Sequence, residues 1–240
     1  MKTPPFYSIV IPVYNEADNI YPLTEELITV LHKLHGNWEI IFVDDGSTDT
    51  SLQILQDVSL RWPNIRIFGL NTNKGQSAAF AAGFSKARGD VIITMDGDMQ
   101  NDPRDIPDLI EKIKDYDLVC GWRKQRNDTV VRRLSSRIAN AVRNSMSGET
   151  IRDVGCSLKV FRSNYVQKIK LYNGMHRFFP TLVKMEGGRV IEIAVNHRRR
   201  KHGKAKYGIG NRVVRSFIDL LAVCWMKNRY IHYEVTEYMP

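Results

Sequence analysis

Val91-Ile92-Ile93-Thr94-Met95-Asp96-Gly97-Asp98-Met99-Gln100 is an apolar, largely β-branched run that ends in two carboxylates. Bounded by Gly89-Asp90 on one side and by Asp-Gly on the other, it reads as a short buried strand. Side chains alternate along a strand, so Asp96 and Asp98 leave its end on the same side, and Gln100 continues that side if the chain stays extended. Two carboxylates this close repel each other unless a cation sits between them. Hard oxygen ligands with open positions suit Mg²⁺ or Mn²⁺ holding a substrate diphosphate. Gly97 is expected to let the backbone approach that ligand closely. The competing reading is an Asp-Gly turn leading to Asp102-Pro103 at the start of the next helix.

Two further strand patterns end in the same way. Tyr7-Ser8-Ile9-Val10-Ile11-Pro12-Val13 runs into Tyr14-Asn15-Glu16, and Trp38-Glu39-Ile40-Ile41-Phe42-Val43 runs into Asp44-Asp45-Gly46-Ser47-Thr48-Asp49. Helical patterns over residues 20–34, 52–60 and 78–87 separate these strands. Alternating strands and helices predict an α/β fold with a mostly parallel sheet, whose ligands collect at the carboxyl ends of the strands. Each polar cluster alone is ordinary turn and capping chemistry. Three of them, each with a carboxylate and each at the end of a different strand, converge on one crevice.

The 240 residues suit one large domain, here residues 1–210, followed by a basic and apolar helical extension over residues 211–240. Met1-Lys2-Thr3-Pro4-Pro5 shows no signal pattern, and no apolar run approaches the roughly 18–20 residues that span a bilayer. Cys120, Cys156 and Cys224 match no metal spacing, which fits a reducing, cytoplasmic setting. Charge is uneven. Residues 1–120 hold 10 Lys/Arg against 18 Asp/Glu, and residues 121–240 hold 25 against 8. The acidic half fits a metal and a nucleotide, while the basic half wants phosphates, nucleic acid or an acidic membrane surface.

Pro12-x-Tyr14-Asn15-Glu16, Asp44-Asp45-Gly46-Ser47-x-Asp49, Asn73-x-Gly75 and Asp96-Gly97-Asp98-x-Gln100 together resemble the family-2 glycosyltransferases, within them the dolichyl-phosphate mannose synthase and bacterial polyprenyl-phosphate glycosyltransferase branch. The resemblance runs over residues 6–230. It implies the A-type, nucleotide-sugar-binding, Rossmann-like sheet with helices on both faces. It also implies a hexosyltransferase that uses a nucleotide diphosphate sugar donor, a polyprenyl (dolichyl or undecaprenyl) phosphate acceptor and Mg²⁺ or Mn²⁺. Carried over position by position, Pro12, Tyr14, Glu16, Val43 and Asp45 line the nucleoside, with Asp45 accepting from a base N–H of uracil or guanine. Asp96 lies near the ribose or diphosphate, and Asp98 and Gln100 hold the metal. Ala78, Ala79, Ala81, Ala82 and Gly83 are small residues that let their helix pack closely on the sheet.

In the second half, Leu118-Val119-Cys120-Gly121-Trp122-Arg123 reads as a strand ending in an arginine, followed by Arg132, Arg133, Arg137 and Arg143. Asp153 to Phe161 resembles the family segment after the active-site helix. The branch's Arg-x-x-Gly-x-Ser-Lys segment, which closes over phosphates, is matched at Arg200, Gly203 and Lys206 and departs at Ala205. Arg123, Arg132, Arg200 and Lys206 are therefore expected at donor or acceptor phosphates.

A hydroxyl acceptor, as in cell-envelope polysaccharide synthesis, needs a general base. Residues 121–240 hold only eight carboxylates, with Glu186 and Glu192 the first candidates, whereas a phosphate acceptor is already anionic and asks mainly for cations. A third reading, a basic nucleic-acid-binding protein, lacks a known module and interleaved aromatics, so no nucleic-acid partner is expected. Residues 213–226 form an apolar helix flanked by Arg212, Arg215, Lys227 and Arg229. It suits a peripheral contact with the cytoplasmic membrane face, or else docking on the domain, on a membrane-protein partner or in a homo-oligomer.

Overall fold

The structure is a computed structural model that describes residues 6–124, 148, 150–200, 210–231 and 236. Among these residues, seven strands form one sheet in the order β3-β2-β1-β4-β6-β5-β7. β1 (Tyr7–Val13) lies between β2 (Trp38–Asp44) and β4 (Val91–Thr94) and runs parallel to both, with Ile9 opposite Ile40 on one side and Ile93 on the other. β3 (Ile65–Gly69) extends the parallel block beyond β2. β6 (Lys159–Arg162) is antiparallel to both β4 and β5 (Leu118–Arg123), and β7 (Val190–Val195) returns parallel to β5. Strand order reverses at β1 and β4. The carboxyl ends of those two strands therefore diverge into a crevice of the kind where such sheets bind ligands.

Period-two alternation divides the core between the two faces of the sheet. Ile9, Ile11, Ile40, Phe42 and Ile93 join Leu23 and Leu27 of α1 (Ala17–Leu31), Leu55 and Val58 of α2 (Ser51–Arg61), and Ile106 and Leu109 of α4 (Ile106–Lys112). Val10, Ile41, Val43, Ile92 and Phe161 face the opposite way. There they meet Phe80 and Phe84 of α3 (Gln76–Lys86), Val166 of α5 (Ser163–Lys168), and Phe179 and Val183 of α6 (Phe179–Met185). The small residues of α3 matter where a glycine touches the sheet: a Cβ at Gly83 would collide with Val10 Cγ1. Close helix packing is what brings the amino end of α3 to the crevice.

α7 (Gly210–Arg229) docks through Leu220 and Val223 onto Met175, Phe178, Leu182 and Met185. Arg177 Nη1 donates to Ser216 Oγ at 2.9 Å, and Tyr230 Oη donates to Glu186 Oε1 at 2.6 Å, so the helix is tied at both ends. Its other face stays open: Phe217 is 48% exposed, Ile218 58%, Leu221 45% and Trp225 65%. The helix thus docks on the domain and still presents an apolar face. No helix among the described residues is long and apolar enough to cross a membrane.

Candidate active site

The acidic loop after β4 does not stay extended. Met99 has φ 62, in the left-handed region that an unbranched non-glycine residue enters only under constraint. Asp98 Oδ1 closes the bend by accepting the Gln100 N–H at 3.1 Å, while the Met99 side chain is buried in the core. Strand alternation therefore does not place Gln100; the bend does. Its amide ends 3.5 Å from His197 Nε2. Gly97 also meets the neighbouring strand closely. A Cβ there would stand 3.2 Å from the Pro12 carbonyl oxygen, so glycine permits the close approach of the β1 and β4 ends. The capping reading of Asp102 holds as well, since its carboxylate accepts from Arg104 N–H at 3.0 Å at the start of the turn before α4.

Asp96 sits deepest. Gln76 Nε2, at the first turn of α3, donates to Asp96 Oδ1 at 2.6 Å, and the Asp96 N–H donates to Asn101 Oδ1 at 3.3 Å. Burial, then the neighbouring Asp98 carboxylate, push the Asp96 pKa up to about 6 against a Ser157 hydrogen bond and the charges of Lys159 and Arg123. Lys159 is itself buried, its Nζ donating to the Cys156 carbonyl. The sign of the consequence follows from linkage. A carboxyl that is harder to ionise when folded costs stability once the pH exceeds its unfolded value, and the full cost is present above the folded one. Asp96→Asn should therefore raise the melting temperature of the chelator-treated protein at about pH 7.5 and leave it unchanged near pH 4. Equal shifts at both pH values would show that the Asp96 charge is not the cause.

The basic segment after β7 lies along this acidic loop. Asn196 bonds Asp105 through its N–H and its Nδ2, each at 2.7 Å. His197 bridges Asn101, and the Arg198 N–H donates to the Gln100 carbonyl at 2.9 Å. The Arg198 guanidinium then reaches Glu26 at 2.5 Å and Asp102 at 2.7 Å. Arg200 Nη2 bridges Glu16 Oε1 at 3.0 Å and Asp98 Oδ2 at 3.1 Å. Part of the charge imbalance between the two halves of the sequence is thus met inside the molecule.

Of the residues singled out in the sequence, the fold gathers Glu16, Asp96, Asp98, Gln100 and Arg200 at the ends of β1 and β4. Pro12 and Tyr14 are half-buried beside them. The Val43 side chain is fully buried in the core under α3. The Asp45 carboxylate accepts from the N–H groups of Lys74 at 2.7 Å and Gly75 at 2.9 Å, and burial raises its pKa. Arg123 forms a two-pronged pair with Asp153, Nε to Oδ2 at 2.6 Å and Nη2 to Oδ1 at 2.8 Å. Arg132 and Lys206 lie outside the described residues. Gln76 was not picked out from the sequence, and only its proximity to the Asn73-x-Gly75 motif could have signalled it, whereas His197 and Arg198 open the basic run that carries Arg200.

The donor set fits a hard divalent cation in an open site. A guanidinium already occupies the place where Glu16 and Asp98 converge, which shows that the carboxylates accept a positive charge there. No three His, Cys, Asp or Glu side chains among the described residues form a closed cage. A metal here would need oxygens from a substrate, the usual arrangement for Mg²⁺ on a diphosphate.

A family model, Glycosyl transferase family 2, matches residues 8–170. The chain is 41% identical over 222 residues to the dodecaprenyl-phosphate galacturonate synthase of Rhizobium johnstonii, covering 90% of this chain and 65% of that protein. It is 39% identical over 211 residues to the undecaprenyl-phosphate 4-deoxy-4-formamido-L-arabinose transferase of Edwardsiella ictaluri, covering 87% of this chain and 65% of that one. The chain spans just under two thirds of the length of these relatives. Among solved structures, glucosyl-3-phosphoglycerate synthase from Mycobacterium tuberculosis, in complex with Mn²⁺, uridine-diphosphate-glucose and phosphoglyceric acid, matches with a TM-score of 0.71 at 15% identity, over 92% of this chain and 80% of that one. At that identity the likeness is one of fold, the A-type glycosyltransferase fold.

Proposed function

This chain belongs to glycosyl transferase family 2, and from that premise we propose that it transfers a sugar from a nucleotide diphosphate sugar to a polyprenyl phosphate, with a divalent metal and with inversion. The names of its relatives support the acceptor class. The observation that carries the choice against a hydroxyl acceptor is the state of the two candidate bases. Glu186 accepts from Tyr230 Oη at the end of α7, and Glu192 accepts the N–H groups of Arg152 at 2.8 Å and Asp153 at 3.0 Å. Both are committed to holding structure. A phosphate monoester needs no base, because its attacking oxygen carries no proton to remove.

In this mechanism an acceptor phosphate oxygen forms the new bond to the anomeric carbon as the bond to the nucleotide diphosphate breaks, and the electron pair leaves with the diphosphate. Asp98 and the side-chain oxygen of Gln100 would hold Mg²⁺ or Mn²⁺, which when bound neutralises the charge gathering on the leaving group. Asp96 fixes Gln76 at the amino end of α3 and adds charge on the donor side. Arg200 places a planar guanidinium next to Asp98, within the same subsite. The test is transfer of radiolabelled sugar from a panel of UDP- and GDP-sugars with a polyprenyl phosphate added. Transfer from none of them would refute the reading.

The open apolar face of α7 supports a peripheral contact with a membrane surface, which suits a protein acting on a lipid phosphate. Phe217, Ile218, Leu221 and Trp225 are exposed, with Arg215, Lys227 and Arg229 exposed at the flanks. Each cation near an anionic surface adds about 1 kcal/mol. The protein should sediment with anionic vesicles and be partly released by salt. Phe217→Ser with Trp225→Ser should weaken this while sparing transfer to a short, soluble acceptor. Wild-type protein that ignores such vesicles at low salt would remove the membrane role from α7.

A further inference from the structure

Glu16 follows β1, and the motif it completes implies a place in the wall of the nucleoside subsite. Its carboxylate is also engaged by other side chains. Oε1 accepts from Arg200 Nη2 at 3.0 Å, Oε2 accepts from Asn19 Nδ2 at 2.6 Å, and the main-chain N–H donates to Ser51 Oγ at 2.9 Å. The residue is 7% exposed, so it offers little surface to a base or a ribose. The same Nη2 that meets Glu16 also meets Asp98 Oδ2 at 3.1 Å.

We propose that Glu16 is a positioning residue for Arg200: its buried carboxylate presents the guanidinium beside Asp98, where the diphosphate of the donor binds. The inference rests on the nucleotide-sugar reading given above. Arginine is a long, freely rotating side chain, and ordering it at each encounter costs affinity that a fixed counter-ion removes in advance. Asn19 holds the other Glu16 oxygen, so the carboxylate cannot turn away. Arg200 is then held on two sides by groups from the ends of two different strands, β1 and β4. A bound metal at Asp98 would take one of these anchors for itself. Glu16 would keep the other, and the guanidinium would stay at the diphosphate when Asp98 turns to the cation.

Binding of nucleoside monophosphates and diphosphates separates the two roles. Affinities of UMP, UDP, GMP and GDP would be measured by calorimetry with Mg²⁺ for the wild type, Glu16→Gln, Arg200→Gln and the double variant. Glu16→Gln is isosteric, and Asn19 Oδ1, which is buried with no hydrogen-bond partner among the described residues, can turn to accept from the new amide, so the fold should persist. The expected result is a loss of about tenfold for the diphosphate that binds and less than about twofold for its monophosphate, with the double variant no weaker than Arg200→Gln alone. Glu16→Asp, which keeps the charge but shortens the reach, should give a smaller loss confined to the diphosphate. Equal losses for monophosphate and diphosphate, or a double variant in which the two losses multiply, would overturn the role of Glu16 and leave the donor reading standing. Wild-type protein that binds none of the four nucleotides would overturn the donor reading itself, and this inference with it.

Discussion

Asp98→Asn is expected to lower sugar transfer by at least about a hundredfold, equivalent to roughly 3 kcal/mol of transition-state stabilisation. The side chain is only 13% exposed and lies at the mouth of the crevice. Asparagine keeps the shape and can still accept the Gln100 N–H that closes the bend at Met99. What it loses is the charge that would hold a divalent cation against the leaving diphosphate. The fold should not suffer, since Asp98 raises the pKa of Asp96 and the pair repels itself. The variant should melt at or above the wild-type temperature in chelator and bind Mn²⁺ measurably more weakly by electron paramagnetic resonance. Full activity in this variant, or in the wild type with excess chelator, would rule out the metal role.

Arg200→Ala carries the second large effect. The guanidinium is 23% exposed and is shared by Glu16 and Asp98. Its removal leaves the Glu16 and Asp98 carboxylates without their shared cation and takes away a positive charge beside the proposed diphosphate subsite. Arg200→Lys keeps a charge but not the planar fork, and should still lose about tenfold in rate, near 1.4 kcal/mol. Arg200→Ala should lose more than that. Both variants should bind the nucleoside monophosphate normally. An Arg200→Lys enzyme with wild-type kcat/KM would show that a point charge suffices and that the fork is irrelevant.

The strands that carry the site were legible because their patterns are local. β1, β2 and β4 are apolar runs that end in turn residues, and period-two alternation alone splits Ile9 and Ile11 from Val10 across the sheet. β3 escaped notice because Ile65–Gly69 is a short edge strand with a charged residue, Arg66, at its second position. The bend at Met99 left no trace, since methionine is not a turn former and its left-handed backbone is imposed by burial and by Asp98. That is why an extended path to Gln100 was a reasonable expectation and an incorrect one. The partners of the arginines were equally hidden. Arg123 finds Asp153 30 positions on, and Arg200 finds Glu16 184 positions back, so no local spacing could name them. The charge asymmetry was visible, but composition could not show that Arg198 and Arg200 turn inward to acidic partners and leave less positive charge for external ones.

The proposed chemistry separates sharply from its rival at the acceptor. A polyprenyl phosphate and the corresponding polyprenol differ only in the phosphate, so they share whatever the apolar face of α7 and the lipid contribute to binding. With the donor identified, labelled sugar would be followed into each acceptor under the same detergent and metal conditions. The account predicts transfer to the phosphate and none to the alcohol, because Glu186 and Glu192 are held by Tyr230 and by the N–H groups of Arg152 and Asp153. Transfer to the alcohol, or to a saccharide hydroxyl, at a rate equal to that with the phosphate would contradict it.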